Sequence, residues 1–366
     1  MKKIVGIFIN AEQKGFLLSL ASILEKKYDI TTRLICRDMG VKKLVDNTFT
    51  DRSKSQDIVL SNLEFEVSNI ISESLAIESK YKSTLSLLIS QDRGLGQGYL
   101  FNVENIPNII RASWPHKKKL KEFIKVINKY ESAIEGCDFV IRTWPDKITS
   151  MICEDKGISS YSFVPMKFGS RMFWSNDNYV TSSKYFSRVT NNLSNMKSTK
   201  ILNYEIDFVA DNINKSASYS FLNFLKESFN LIWNENKVWL RGRQQKNSYN
   251  YLAWLPSIFR RMKNYNYLKS ISVKPSQISD YRLCFFPLHL EPEIALLNYS
   301  PEFNNSMEII SWISKSLPAD VLIVIKEHPL GFGVRSSWYY RQLNKIGNVV
   351  WADPSIHSWD WIKKSN

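Results

Sequence analysis

Two short segments concentrate the side chains that could do chemistry. In Phe286-Pro287-Leu288-His289-Leu290-Glu291-Pro292-Glu293, an apolar run gives way to three ionisable groups, His289, Glu291 and Glu293. Further along, Val321-Leu322-Ile323-Val324-Ile325-Lys326-Glu327-His328-Pro329 again ends an apolar run in charged groups. Open α/β sheets bind their ligands at the carboxyl ends of the strands, so two strand exits carrying such groups imply one shared pocket. There Lys326 offers a point charge and His328 a hydrogen-bond donor to a phosphate, while Pro329 fixes the backbone as it leaves the strand. The alternative is that His289 and His328 merely cap strand ends.

The elements that must position these groups alternate along the chain. Ile4 to Asn10 reads as a strand, Phe16 to Lys27 as a helix and Ile30 to Cys36 as a strand, the rhythm of a parallel sheet. Helical spacing predicts amphipathic helices over Asp57 to Ser90 and Lys118 to Glu135. Cys137 to Thr143 is then a strand, Lys147 to Lys156 a helix stopped by Gly157, and Ser159 to Val164 a strand closed by Pro165. From Asn176 to Ser279 the rhythm gives way to mainly helical spacing. It returns with strand Arg282 to Pro287, helix Pro301 to Ser316, strand Val321 to Lys326, helix Ser336 to Lys345 and strand Asn348 to Trp351. The expected domains are therefore residues 1–175, a Rossmann-like unit; 176–279, a helical insertion or connector; and 280–366, a second Rossmann-like unit with fewer strands than a complete one.

Composition bounds the classes. The 366 residues carry 49 Lys and Arg against 35 Asp and Glu, a net charge of +14, with 44% hydrophobic and 13% aromatic residues. That excludes a disordered or fibrous chain and suits two folded domains. No uncharged apolar run reaches the roughly 18 to 20 residues that span a bilayer. Met1-Lys2-Lys3 followed by Ile4 to Ile9 imitates a signal peptide, but Glu12 and Lys14 interrupt it, and the segment reads as a first strand. Cys36, Cys137, Cys153 and Cys284 show no metal-binding or disulfide spacing, which suits a reducing cytoplasm. The positive balance favours an anionic partner: nucleic acid, an anionic membrane face, or a phosphorylated or carboxylated substrate.

The Phe286–Glu293 and Lys326–Pro329 segments, with Arg335, Tyr339-Tyr340 and Asn348-Val349-Val350-Trp351-Ala352-Asp353-Pro354, resemble the bacterial capsule polysaccharide biosynthesis protein family, which includes Kdo transferases. The match is sharp over residues 281–356. It implies an α/β, GT-B-like fold of two Rossmann-like domains facing a cleft, and transfer of a sugar, with Kdo carried on CMP as the type case, from a nucleotide-sugar donor to a glycan or lipid-linked acceptor. The Lys-x-His-Pro motif implies donor binding by Lys326, His328 and Pro329, joined by His289 and Arg335. Asp92-Arg93-Gly94 and Lys167-Phe168-Gly169-Ser170-Arg171 fall where the family's first domain has comparable loops, which puts Arg93 and Arg171 on the acceptor side. Family members continue with a Gly-Thr turn and a Glu-Ala pair; this chain ends before them.

Within that frame Asp92 is a candidate base for the acceptor hydroxyl, its loop bending at Gly94, Gly96 and Gly98; Glu291 and Glu293 compete for the role. A helix stop followed by a turn is the alternative reading of the Asp92 segment. No two aspartates stand two apart, so metal-independent transfer without a cofactor is expected, with Lys326 and His328 stabilising the leaving phosphate. The basic, aromatic stretch from Trp233 to Lys263, including Arg260 and Arg261, is read as a solvated helix with inward aromatics, or as a contact with single-stranded nucleic acid or, preferred of the two, with an anionic membrane. The leading expectation is thus a cytoplasmic glycosyltransferase at the inner membrane face. A catalytically inactive, truncated remnant or scaffold is the alternative. A nucleic-acid binder is the third reading, disfavoured because no recognition signature accompanies the charge.

Overall fold

A six-residue apolar strand, Ile4–Ile9 (β1), forms the centre of the first sheet because neighbours cover both its edges and both its faces. The computed structural model describes residues 3–10, 13–48, 56–92, 95–96, 114–165, 172–176, 225–226, 229–230, 233, 255–291, 296–297, 300–328 and 331–365. They fall in two units, Met1–Ile89 with Trp114–Lys200, and Ser90–Ser113 with Ile201–Asn366.

In the first unit, β1 leads through α1 (Lys14–Tyr28) to β2 (Thr31–Cys36), α2 (Met39–Asp46) and β3 (Gln56–Val59). Helices α3 (Ile70–Tyr81), α4 (Leu85–Gln91, whose last two residues are counted with the second unit) and α5 (His116–Ile134) precede β4 (Phe139–Arg142), α6 (Lys147–Asp155), β5 (Ser159–Pro165) and β6 (Met172–Ser175). The sheet order is β3-β2-β1-β4-β5-β6, parallel except for β6. This is the Rossmann-like order, in which the strand order reverses between the parallel neighbours β1 and β4. Val5, Ile7 and Ile9 bury against Leu17, Leu18 and Ala21 of α1 and against Leu34 and Cys36 of β2. Local signals set the helix ends. Asp38 accepts the Val41 amide at 3.0 Å to cap α2, Asp146 accepts the Thr149 amide at 2.8 Å to cap α6, and Gly157 ends the α6 turn at φ +65°.

The helix expected over Asp57 to Ser90 is instead a strand, a tight turn at Leu60–Asn62 and two helices. Ile58 and Val59 fit helical spacing with the later apolar residues, yet they pair in parallel with Ile35 and Cys36 of β2. Their branched side chains fill a pleated surface, and that pairing overrides the periodicity. The helical pattern takes hold only at Asn69, whose side chain accepts the Ser72 amide while Glu73 accepts the amides of Ser68 and Asn69. The antiparallel strand β6 is a further addition to the expected elements, its Trp174 opposite Phe163 of β5.

In the second unit, α7 (Leu255–Ile271) precedes β7 (Arg282–Pro287), α8 (Ser306–Ser316), β8 (Val321–Lys326), α9 (Ser337–Leu343), β9 (Val349–Trp351) and α10 (Ser358–Ile362). The sheet is parallel in the order β7-β8-β9. Alternation along β8 divides its residues between two cores. Ile323 and Ile325 pack with Tyr265 and Leu268 of α7, Ile310 of α8, Tyr339 and Tyr340 of α9, and Trp351. Leu322 and Val324 face the other way, towards Leu283, Ala352 and Trp361 of α10. A strand buried on both faces explains why Val321–Ile325 is uninterruptedly apolar. Both units are therefore α/β, the first with a mostly parallel sheet and the second with a parallel one, as the sequence leads one to expect. Among the described residues no helix is long and apolar enough to cross a membrane.

Candidate functional site

The carboxyl edge of the β7-β8-β9 sheet gathers buried charged residues, among them Glu291, Lys326, Glu327, Arg335 and Asp353. The parallel register sets Pro287 opposite Lys326, so the segments bearing His289 and His328 leave the sheet side by side. His289 is exposed and His328 half-buried. Strand alternation sends Lys326 and Glu327 to opposite faces.

Lys326 turns towards the loop after β9. Its ammonium donates to the carbonyl of Ile356 at 2.6 Å, of Pro354 at 3.4 Å and of Asp353 at 3.5 Å. Burial pulls its pKa down to about 8, against the opposing pull of Asp353 and Asp360. Asp353 itself is occupied in a local turn, its Oδ1 accepting the amide of Ser355 at 2.8 Å and its hydroxyl at 2.6 Å.

Glu327 turns towards α7 and α9 and meets Arg335, which is wholly buried. Arg335 Nη1 donates to Glu327 Oε1 at 2.5 Å; Nη2 donates to the carbonyl of His289 at 2.5 Å and lies 3.3 Å from Glu291 Oε2. The other acceptor sites of Glu327 are also filled. Tyr340 donates its hydroxyl to Oε2 at 2.9 Å, and the amide of His328 donates to Oε1 at 2.6 Å. Burial pushes the Glu327 carboxyl up, opposed by Arg335, Tyr340 and the His328 amide. Burial works to lower the Arg335 guanidinium too, but Glu327, Tyr339 and Glu291 together hold it above its ordinary value. Burial likewise raises the phenols of Tyr339 and Tyr340.

A turn at Gly331–Gly333 delivers Arg335 to this position. Its shape is fixed from α7, where buried Asn264 donates to the carbonyls of Phe332 at 2.8 Å and Arg335 at 2.9 Å. Gly331 is there for space: a Cβ would overlap the Glu327 carboxylate and stand 2.7 Å from Arg335 Nη1. Ser336 then caps α9 by accepting the Tyr339 amide at 3.4 Å.

No family model matches the sequence, and no curated protein matches it. Among solved structures the chain is similar to one described as the S. aureus MnaA-UDP co-structure, at 12% identity over 100% of this chain and 73% of that one, with a TM-score of 0.21. At that TM-score the likeness carries no argument; the fold rests on the strand order and pairing given above.

Of the residues singled out in the sequence, His289, Glu291, Lys326, His328 and Arg335 all lie at this sheet edge. Arg335 and Glu291 form an internal ion pair, and Lys326 is tied to backbone carbonyls. Glu293, Pro329, Arg93 and Arg171 lie outside the described residues. Asp92 is half-buried just after α4, where its Oδ1 accepts the Leu95 amide at 2.6 Å and its carbonyl accepts the Gly96 amide at 3.0 Å. Most of the basic aromatic stretch from Trp233 to Lys263 is likewise outside them; of it, exposed Trp233 and the end from Leu255, which is part of α7, are described. Among the described residues no group of three His, Cys, Asp or Glu side chains is arranged to hold a metal ion.

Glu327, Gly331 and Asn264 were not legible as site residues. Glu327 sits inside the Lys326–Pro329 motif, overshadowed by its basic neighbours, and Gly331-Phe332-Gly333 reads as an ordinary turn. Asn264 offers the one available signal: a polar side chain on the helix face otherwise occupied by Tyr265 and Leu268, which has to find buried partners.

Proposed function

We propose that this chain is a glycosyltransferase that uses a nucleotide-sugar donor, and that the carboxyl edge of the β7-β8-β9 sheet is its donor site. The observation that carries the reading is the pairing of Pro287 with Lys326, which brings the His289 and His328 segments out together where open α/β sheets hold nucleotides. The resemblance of Phe286–Glu293 and Lys326–Pro329 to capsule polysaccharide and Kdo transferases supports the same reading and suggests CMP-Kdo as the donor. His328 contacts the donor phosphate directly. Lys326, already donating to three carbonyls, adds positive charge from behind rather than a bond of its own.

In the reaction the acceptor hydroxyl attacks the sugar carbon, the bond to the nucleotide phosphate breaks, and the hydroxyl proton passes to a carboxylate. Asp92 is our candidate for that base, since Glu291 is engaged by Arg335. Donor-phosphate stabilisation by imidazole and ammonium groups is compatible with transfer that needs no metal. The acceptor is a glycan or lipid-linked saccharide met at the inner face of the cytoplasmic membrane, with Arg93 and Arg171 on its side of the site. A thermal-shift titration of the full chain with CMP, UDP, GDP and ADP, without added metal, tests the donor site. Saturable stabilisation by one of them that is lost in His328→Ala is expected; no stabilisation by any would point to an inactive scaffold.

A further inference from the structure

One buried ion pair is bonded to the backbone of both chain exits at this edge. Arg335 donates to the carbonyl of His289, beyond β7, and Glu327 accepts the amide of His328, beyond β8. The two side chains meet at 2.5 Å, and each is 1% exposed. The path from the His289 carbonyl through Arg335 and Glu327 to the His328 amide is therefore continuous, and the ion pair at its middle is shielded from water.

Such a pair is a poor device for stability alone. Desolvating two charges costs several kcal/mol, and well-packed apolar residues in their place often do as well or better. What an apolar pair cannot do is bond to two backbones at once. The surroundings hold the pair rather than merely tolerate it: Tyr340 bonds the free lobe of Glu327, the Tyr339 ring lies 5.2 Å from the guanidinium carbon, Asn264 fixes the Arg335 carbonyl, and Gly331 leaves the space the carboxylate occupies. We propose that Glu327 and Arg335 are positioning residues, which hold His289 and His328 in fixed relation to each other so that both imidazoles are set for one ligand. The proposal rests on the donor-site reading above for what that ligand is, but not for the existence of the clamp.

The test uses the full chain and its four histidines, His116, His289, His328 and His357, whose imidazole resonances are followed by NMR as pH is varied. Glu327→Leu removes the bond to the His328 amide and the partner of Arg335. Glu327→Gln keeps an acceptor oxygen and serves as the conservative rescue. In Glu327→Leu the titrations of His289 and His328 should both shift while those of His116 and His357 stay in place, and Glu327→Gln should restore most of the wild-type behaviour. Affinity for whichever of CMP, UDP, GDP or ADP binds should fall roughly tenfold or more in Glu327→Leu, because small misplacements of contact groups are costly.

Titrations of His289 and His328 unchanged from wild type, in a Glu327→Leu protein that is merely less heat-stable, would overturn the clamp. Should Glu327→Leu not fold, Tyr340→Phe, which removes one hydroxyl from Glu327, carries the same comparison with a smaller expected shift. Absence of any nucleotide binding by the wild-type chain overturns the donor-site reading instead, and the imidazole titrations still decide the clamp.

Discussion

Replacing Arg335 by Met should destabilise the second unit strongly, and more so at high pH than at low. The substitution keeps an unbranched side chain in the space but removes the guanidinium that faces Glu327 at 2.5 Å and Glu291 at 3.3 Å, with all three side chains buried. Breaking a buried pair by removing one partner costs about 3 to 5 kcal/mol, because the remaining charge has no counterpart. Glu327 keeps only the Tyr340 hydroxyl and the His328 amide.

The sign with pH follows from the carboxyl groups left behind. Without Arg335, burial acts on Glu327 with less opposition, so its pKa in the folded protein rises further above the unfolded value of about 4.3. The folded state then binds more protons than the unfolded one over that interval, and stability falls as pH rises through it. Urea unfolding at pH 5 and pH 8, followed by tryptophan emission that includes buried Trp351, should show a difference between wild type and variant that is larger at pH 8. A loss under about 1 kcal/mol, equal at the two pH values, would refute the reasoning, since it would mean that Glu327 finds compensation elsewhere.

Two further outcomes follow from the same geometry. Lys326 has a pKa near 8 when folded, against about 10.4 when unfolded, so the unfolded chain holds more protons between those values and wild-type stability should rise with pH across them, by at most about 1.4 kcal/mol per unit; Lys326→Met should abolish that rise in urea titrations from pH 7 to 10. Asp146→Ala should cost about 1 to 2 kcal/mol in unfolding of the first unit, since it removes both the cap on α6 and the carboxylate that accepts from buried Arg142 at 3.1 Å, while Asp146→Asn should recover most of the loss through the cap.

The strands β1, β2, β4, β5, β7, β8 and β9 were legible because each combines an apolar run with a turn signal, and β8 most clearly because it is buried on both faces. β3 was not, since four residues are too few for period-two alternation to compete with the helical spacing that follows them. The short α10 was also missed, its only cap being His357, whose Nδ1 accepts the Trp359 amide at 3.2 Å. At the site, Lys326 and His328 stood out because their types suit a phosphate. The bonds they make did not, since the direction of Lys326 towards Ile356 depends on where the chain goes after β9. The link from Arg335 to the His289 carbonyl spans 46 positions and exists only once β7 and β8 pair in register. Spacing along the chain carries no trace of such a link, whereas the local partner Glu327, eight positions away, was within reach of a search for buried charge pairs.

The central claim is that the edge where His289 and His328 emerge binds a nucleotide. Its most direct test is calorimetric titration of the full chain with CMP, UDP, GDP and ADP in parallel with His328→Ala. Saturable binding of one nucleotide by the wild type and a loss of at least about tenfold in the variant are expected, in line with removal of a charge-assisted phosphate contact. Equal affinity in the two proteins, or no binding by the wild type, would contradict the claim.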